Sequence, residues 1–395
     1  MLIGLVGKPS SGKSTFFKAA TLMEVLIASY PFATIKPNTG VGYVRVKCLC
    51  SELKTKCHPR TGSCDGETRF VPVELMDVAG LIEGASEGKG LGNQFLNDLS
   101  RADAFIHIVD VSGTTDSEGK EGKGNPLEDI EMLENELDLW YLGLLKKVWR
   151  VFSRTLQVEK KDLKKAIAKQ FTGLNIQEEH VQRALKDLKF DEEKPEDWTD
   201  EQLRKFAHEL RHMTKPMIIA ANKIDKEGAK ENYEKIREEY PKLLVVPCSA
   251  DSELSLRQAS KAGMIEYVPG NKDFKLHEEK LNEKQKEALN SIKEKVLSQY
   301  PEGTGVQSVL DATVFSLLEH IAVFPAGVHK LADSEGRVLP DCFLVPEGTT
   351  ALDFAFKIHS DLGNNFIKAL DARTKQAVGK DHPLKHRDGI EIVTR

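Results

Sequence analysis

The chain of 395 residues carries 56 basic and 61 acidic side chains, a formal net charge of -5, and is 40% hydrophobic and 30% charged. That length exceeds one ordinary core and implies two or three domains, and the near balance of charge excludes a bulk polycation, so any nucleic-acid contact must come from a local patch. No segment approaches the ~18 continuous apolar residues of a membrane span, and the run 2–6 meets glycine and lysine too soon for a secretory leader, which makes the cytoplasm the expected location.

The run 2–6 reads instead as a first strand. Directly behind it, Gly7-Lys8-Pro9-Ser10-Ser11-Gly12-Lys13-Ser14 fits the pattern G-x-x-x-x-G-K-[ST], and Thr15, Phe16, Phe17 and Ala20 open a helix. The glycines let the backbone curl so that its N–H groups face phosphate oxygens, and the helix N-terminus adds a favourable dipole. Lys13 is expected to place a charge on the β- and γ-phosphates, and the Ser14 hydroxyl to reach magnesium. Further on lies Tyr30-Pro31-Phe32-Ala33-Thr34-Ile35-Lys36-Pro37-Asn38-Thr39-Gly40. A threonine there would ligate magnesium and sense the γ-phosphate; Thr34 is expected, with Thr39 as the competitor.

A strand near 42–47 leads into Cys48, Cys50, Cys57 and Cys64, with His58 beside the third. Four thiolates suit tetrahedral zinc, although C-x-C with six-residue gaps is not a standard finger spacing. Reduced thiols and disulfides compete with the zinc reading. The next strand, near 70–76, ends in Asp77-Val78-Ala79-Gly80, a D-x-x-G sequence. Asp77 can hold a magnesium-bound water, and the Gly80 N–H can reach the γ-phosphate where a side chain would crowd it. Lys13, Thr34 and Gly80 are the expected catalytic set.

The runs near 104–111 and 217–221 are continuously apolar, which fits parallel strands covered on both faces. A crossover between parallel strands needs only a dozen or so residues, yet about a hundred separate these two. After a polar loop from Gly113 to Gly124, the intervening chain reads as helices. Ile130, Leu133, Leu137, Tyr141, Leu144 and Val148 recur at helical spacing, as do Leu203, Phe206, Leu210 and Met213 behind a capping box from Thr199 to Gln202. This helical insert, 126–214, is either a structural lid or an arm for a partner.

Asn222-Lys223-Ile224-Asp225 follows the 217–221 strand and fits N-K-x-D. The Asp225 carboxylate can accept the N1 and exocyclic amine hydrogens of guanine, Asn222 can tie the loop, and Lys223 can lie along the ring. Adenine offers neither hydrogen, so it would leave Asp225 unpaired. Ser249 and Ala250, behind a strand near 243–247, fit the short loop whose backbone N–H meets guanine O6. A charged helical stretch near 277–299 comes next, then a helix with Val306, Val309, Leu310, Leu317 and Ile321 on one face. Residues 321–395 change to short strands and turns, a small α+β domain with its own apolar pattern, which implies that it could fold alone.

Tyr30-Pro31-Phe32-Ala33-Thr34 and the glycine-rich stretch from Asp77 to Phe95 resemble the Obg-like GTPases, near the YchF branch and its archaeal members. Pro346-Glu347-Gly348-Thr349-Thr350, Asp353-Phe354-Ala355, Ile358-His359 and 388–393 resemble a TGS domain, a β-grasp module. The resemblance implies an α/β chain with a P-loop GTPase core on a mostly parallel sheet (1–125 and 215–320), the helical insert, and a C-terminal TGS domain (321–395). It implies GTP and GDP with magnesium as ligands, and a ribosome or RNA partner reached through the TGS domain or the insert. Two departures matter. Asp225 is kept where YchF proper loses it and turns to ATP, and Ser10 stands where potassium-stimulated relatives carry asparagine. Leu81 occupies the position of the water-orienting glutamine of Ras-type enzymes, so slow intrinsic hydrolysis is expected. The five glycines from Gly80 to Gly92 imply either a mobile switch or tight backbone packing.

Overall fold

A computed structural model describes residues 1–22, 39–78, 83–84, 99–159, 161–328, 331–333 and 335–395. Among the expected site residues, Thr34 and Gly80 lie outside that set, as does Leu81. The chain divides into two compact units, Met1–Ala19 with Leu75–Val309, and Ala20–Glu74 with Leu310–Arg395.

Among the described residues, seven strands occur before residue 250: β1 (Leu2–Val6), β2 (Thr39–Lys47), β3 (Ser63–Cys64), β4 (Thr68–Asp77), β5 (Ala104–Asp110), β6 (Met217–Asn222) and β7 (Val245–Pro247). In the first unit the sheet order is β4-β1-β5-β6-β7, with β4 entering by its 75–77 end. The pairs β1–β5, β5–β6 and β6–β7 are parallel. β1, β5 and β6 are buried along their whole length, as their unbroken apolar runs require. In a parallel sheet the ends of the strands open on one edge, and the motif residues sit there: β1 leads into the P-loop, β4 ends at Asp77, β6 at Asn222, and β7 just before Ser249.

Helix α1 (Lys13–Thr21) begins inside the P-loop, its first turn closed by a 2.9 Å bond from the Phe16 N–H to the Gly12 carbonyl. A four-residue helix, α2 (Leu49–Glu52), follows β2. The insert is helical as expected: α3 (Pro126–Glu159), α4 (Leu163–Gln170), α5 (Glu178–Leu188) and α6 (Asp200–Thr214). The Thr199–Gln202 capping box forms. Trp149 of α3 stacks on Trp198 at 5.2 Å between ring centres, and its indole N–H donates to the Pro195 carbonyl at 3.1 Å. Arg211 of α6 is fully buried and pairs with Glu134 and Asp138 of α3. A buried cation demands such partners, so these contacts fix how α6 lies on α3.

Beyond the sheet come α7 (Ala229–Glu239), α8 (Ala250–Lys261), the hairpin β8 (Ile265–Glu266) and β9 (Lys275–Leu276), α9 (Glu283–Ile292) and α10 (Val306–Ala312). The helix expected to carry Ile321 is shorter than that. It runs from α10 into a π-turn over Thr313–Leu317 and stops, and Ile321 lies in β10 (His320–Pro325).

In the second unit, β10 joins β11 (Phe343–Pro346), β12 (Phe366–Asp371), β13 (Ala377–Val378) and β14 (Asp388–Thr394) in the order β11-β10-β14-β12-β13. β10 and β14 are parallel and the other pairs antiparallel. Phe354 of α11 (Ala351–Ile358) fills the core with Ile321, Val323, Val345 and Ile390. A five-residue helix, α12 (Ser360–Asn364), follows. The same unit contains β2, β3 and the 68–74 part of β4. Arg69 donates to the carbonyls of Leu339 at 3.2 Å and Pro340 at 2.6 Å, His58 N–H to Val338 at 2.8 Å, and Arg387 to the Lys47 carbonyl at 2.8 Å. By these contacts residues 310–395 cluster with 20–74.

Candidate nucleotide-binding site

The P-loop turns because Gly7, Ser10 and Gly12 take positive φ values of 146°, 58° and 98°. At Gly12 the freedom is obligatory: a Cβ there would sit 2.2 Å from Asn222 Nδ2. Lys13 is nearly buried, and its ammonium donates to the Gly7 carbonyl at 3.0 Å and the Lys8 carbonyl at 2.6 Å. Burial lowers it to about 8, against the pull of Asp77. The Ser14 hydroxyl donates to Asp77 Oδ2 at 2.9 Å. The hydroxyl and carboxylate expected around magnesium thus already meet, and hard oxygen donors of this kind fit that cation.

Asn222 joins the two halves of the site. Its Nδ2 donates to the Ser11 carbonyl at 2.8 Å, and its Oδ1 accepts the Ala250 N–H at 3.0 Å. The Ser249 hydroxyl donates to Asp225 Oδ1 at 2.7 Å, and Lys226 lies 3.3 Å from the other oxygen. Lys223, at a positive φ of 64°, reaches Asp110 Oδ2 at 2.6 Å. Burial pushes the Asp110 carboxyl up, but hydrogen bonds from Lys223, Ser112 and Thr115 outweigh it and hold the group below its usual range. A cleft of about 490 Å³ is lined by Gly12, Thr15, Asn222, Lys223, Asp225 and Ser249 among others. Its volume suits a mononucleotide base and ribose.

Lys8 behaves differently from the rest of its loop. Its side chain turns away into the interior, with Nζ 2.8 Å from Asp129 Oδ2 and 2.7 Å from the Thr115 carbonyl. Only its backbone N–H is left for a phosphate. Asp129 lies in the first turn of α3, so the root of the insert is tied to the P-loop. Neither Asp129 nor Asp110 has a signal in the sequence motifs. A further support lies behind Ser249, whose N–H donates to the Thr304 carbonyl at 2.8 Å. There the fully buried Glu253 accepts from Thr304, Tyr267 and Arg257 at 2.5, 2.7 and 2.5 Å.

His107 of β5 is buried beneath the P-loop, and burial together with the Lys13 charge lowers it to about 3. Its unfolded-state value is near 6.5, so the unfolded chain takes up a proton first as pH falls. Stability is then present above pH 6.5 and lost below it. Between pH 7 and pH 5 the loss from this residue is about 2 kcal/mol. Urea midpoints across that range should show the slope, and His107→Gln should flatten it; a parallel slope in the variant would discharge His107 from the effect.

The four cysteines of the second unit converge. Cys48 follows β2 in extended conformation as the cap of α2, Cys50 lies in that helix, Cys57 in the loop and Cys64 in β3. Their sulfurs all lie within 4.8 Å of one another, with Cys48 to Cys57 at 3.9 Å and Cys50 to Cys64 at 3.8 Å. All six cysteines are free, so the disulfide expectation is not met.

Comparison with known proteins matches three stretches of the chain. Residues 220–327 match the Obg-like GTPase YGR210-like, G4 motif-containing domain, 2–141 the 50S ribosome-binding GTPase family, and 333–394 the TGS domain. An uncharacterised GTP-binding protein of Methanocaldococcus jannaschii is 46% identical over 396 residues, covering 100% of this chain and 99% of that protein. The chain belongs to the Obg-like GTPases. A crystal structure of a GTP-binding protein from Pyrococcus horikoshii OT3 is similar at 39% identity with a TM-score of 0.80, each chain covered over 100%. The ribosome-binding ATPase YchF of Buchnera aphidicola subsp. Acyrthosiphon pisum is 29% identical over 374 residues, 93% of this chain and 86% of that protein. This Obg-like GTPase therefore has the P-loop fold with a mostly parallel sheet and a TGS domain. Among the described residues no helix is long and apolar enough to cross a membrane.

Proposed function

We propose that this Obg-like GTPase binds GTP and GDP with magnesium, hydrolyses GTP slowly, and acts as a nucleotide switch linked to the ribosome or RNA. The observation that carries the base specificity is Asp225, whose carboxylate is oriented by Ser249 at the rim of the cleft that Asn222 closes. Ser14 and Asp77 would hold the magnesium, with Thr34 as the expected third ligand, and the ion would neutralise charge on the phosphates. Lys13 would bind the β- and γ-phosphates, and the N–H groups of Gly7, Lys8, Pro9-adjacent Ser10, Ser11, Gly12, Ser14 and Thr15 would surround them; Pro9, which has no N–H, shapes the turn. Lys13, Thr34 and Gly80 would stabilise the transferring group. With Leu81 in place of a glutamine, unstimulated turnover would be on the order of 10⁻⁴ to 10⁻² s⁻¹.

Relatives named as ATPases favour a second reading, in which ATP is the substrate. Titration with GTP, GDP and ATP separates the two: equal affinity for ATP and GTP removes the guanine reading. The ribosome link rests on the names of such relatives and on a basic groove of about 440 Å³ in the second unit, lined in part by Arg45, Lys47, Lys385, His386 and Arg387. Arg45 is paired with Asp311 and Arg387 with Glu52, but among the described residues Lys47 and Lys385 have no ion-pair partner. Co-sedimentation with ribosomes at low salt should weaken in Lys47→Glu/Lys385→Glu. No association of the parent protein in any nucleotide state would remove the ribosome link and leave the nucleotide reading; turnover measured with and without ribosomes separates the switch from a nucleotide-gated scaffold whose hydrolysis is irrelevant.

A further inference from the structure

We propose that Cys48, Cys50, Cys57 and Cys64 bind one zinc ion as a tetrathiolate, a structural centre that fixes the 48–66 segment as the platform for Val338, Leu339 and Pro340. The first argument is geometric. A zinc ion at about 2.3 Å from each of four sulfurs places them at the corners of a tetrahedron with edges of about 3.8 Å. Two opposite edges are present at 3.9 and 3.8 Å, and no edge exceeds 4.8 Å. Direct sulfur–sulfur bonds would need about 2.05 Å. Four cysteines from a strand end, a helix, a loop and a second strand have no reason of packing alone to aim at one point.

The second argument is electrostatic and independent of that geometry. Arg69 is only 1% exposed, yet among the described residues it pairs with no carboxylate. Its guanidinium meets the Leu339 and Pro340 carbonyls and, at 3.9 Å, Cys57 Sγ. A permanently charged group buried this deeply requires a compensating anion. Four neutral thiols supply none. Zinc displaces the four thiol protons and leaves a centre of net charge −2, which answers Arg69 through Cys57. The Gly66 N–H, 3.4 Å from Cys64 Sγ, is a second donor aimed at a ligand sulfur, the kind of outer contact that orients thiolates around a metal.

The centre also accounts for the unusual spacing. Cys48 caps α2 in extended conformation with Cys50 in the first turn of that helix, and positive φ at Lys54, Gly62 and Gly66 folds the loop back onto the helix. The residues between the ligands then make the platform: His58 N–H donates to the Val338 carbonyl at 2.8 Å, Arg60 N–H to Pro340 at 2.9 Å, and the Arg60 side chain reaches Asp333 at 3.2 Å. A metal that holds four points of this loop holds those donors in register.

Full-length protein purified without chelator should contain one zinc per chain by elemental analysis. A thiol reagent should not read Cys48, Cys50, Cys57 or Cys64 until the metal is stripped, and should read these four afterwards. Replacement by cobalt(II) should give the intense ligand-field bands of a tetrahedral tetrathiolate. Cys64→Ser, at the least buried ligand, should lose the metal or weaken it at least tenfold against a competing chelator, while Cys342→Ser retains it. Absence of metal after reconstitution with zinc, cluster thiols that react in the native state, or stoichiometric iron in place of zinc would each overturn the proposal. The cobalt spectrum and thiol count are read on the parent chain, so they decide the matter even if the serine variant fails to fold. Nucleotide binding is measured separately, and the zinc centre stands or falls without it.

Discussion

Replacing Asp225 with asparagine is expected to lower GTP and GDP affinity about a hundredfold or more and to make xanthine nucleotides the better ligands. The Ser249 hydroxyl fixes one carboxylate oxygen at 2.7 Å, and Lys226 lies 3.3 Å from the other. This leaves the carboxylate oriented toward a donor pair on the base rather than free to rotate. Guanine supplies such a pair and an amide oxygen alone cannot answer it, because its NH2 would face the exocyclic amine. Xanthine carries an oxygen there and accepts from the new amide. Loss of a charge-assisted pair in a desolvated site costs roughly 3 kcal/mol, and every 1.4 kcal/mol is about tenfold in affinity. Calorimetric titration of both proteins with GDP and xanthosine diphosphate checks this. Unchanged GDP affinity in the variant would remove Asp225 from base recognition.

Asp129→Ala should cost about 3–5 kcal/mol of stability, although the residue touches no nucleotide motif by sequence. Lys8 is 2% exposed and lies against a carbonyl and this carboxylate, so the substitution strands a buried ammonium. The carboxyl itself is pushed up by burial and by the neighbouring Asp110 and Glu128, against the attraction of Lys8. The pair therefore carries part of its cost already, and removing one member leaves the other with no compensation. Nucleotide affinity should fall as well, since Lys8 holds the loop whose carbonyl accepts from Lys13. The double variant Lys8→Met/Asp129→Leu should recover most of the stability. Chemical denaturation of the three proteins measures both steps, and a single variant as stable as the parent would show that water reaches Lys8.

Much of the first unit is legible in the sequence because its signals are local. The apolar runs of β5 and β6 mark buried parallel strands, and Thr199 with Gln202 marks the start of α6. The P-loop, Asp77 and Asn222–Asp225 stand at strand ends where a parallel sheet must expose them. Partners far apart in sequence are not legible in this way. Lys8 appears as one loop residue among others, and nothing nearby points to Asp129, which a helix of the insert brings to it. Arg69 gives no hint of Leu339 and Pro340, so the clustering of residues 20–74 with 310–395 is not visible along the chain. Ile321 follows the helical period by coincidence: the π-turn at Thr313–Leu317 ends the helix, and His-Ile-Ala-Val-Phe then pairs as a strand on both sides. The cysteine spacing matched no known finger because its turns depend on φ values that no spacing rule encodes.

Asn222 has a thermodynamic consequence beyond holding a loop. One amide side chain is bonded at one end to the P-loop backbone at Ser11 and at the other to the Ala250 backbone, which the proposed reading places against the phosphates and the base. Ordering either loop orders the other, so the two ends of a nucleotide share a single entropic cost. Guanosine and pyrophosphate, offered separately, would each have to meet that cost in full. The intact nucleotide meets it once, and its affinity exceeds what the fragments would suggest by the linkage between them. Under the proposed guanine reading, a shared amide makes the site selective for length as well as for each end: base and phosphate must be joined to collect the full benefit.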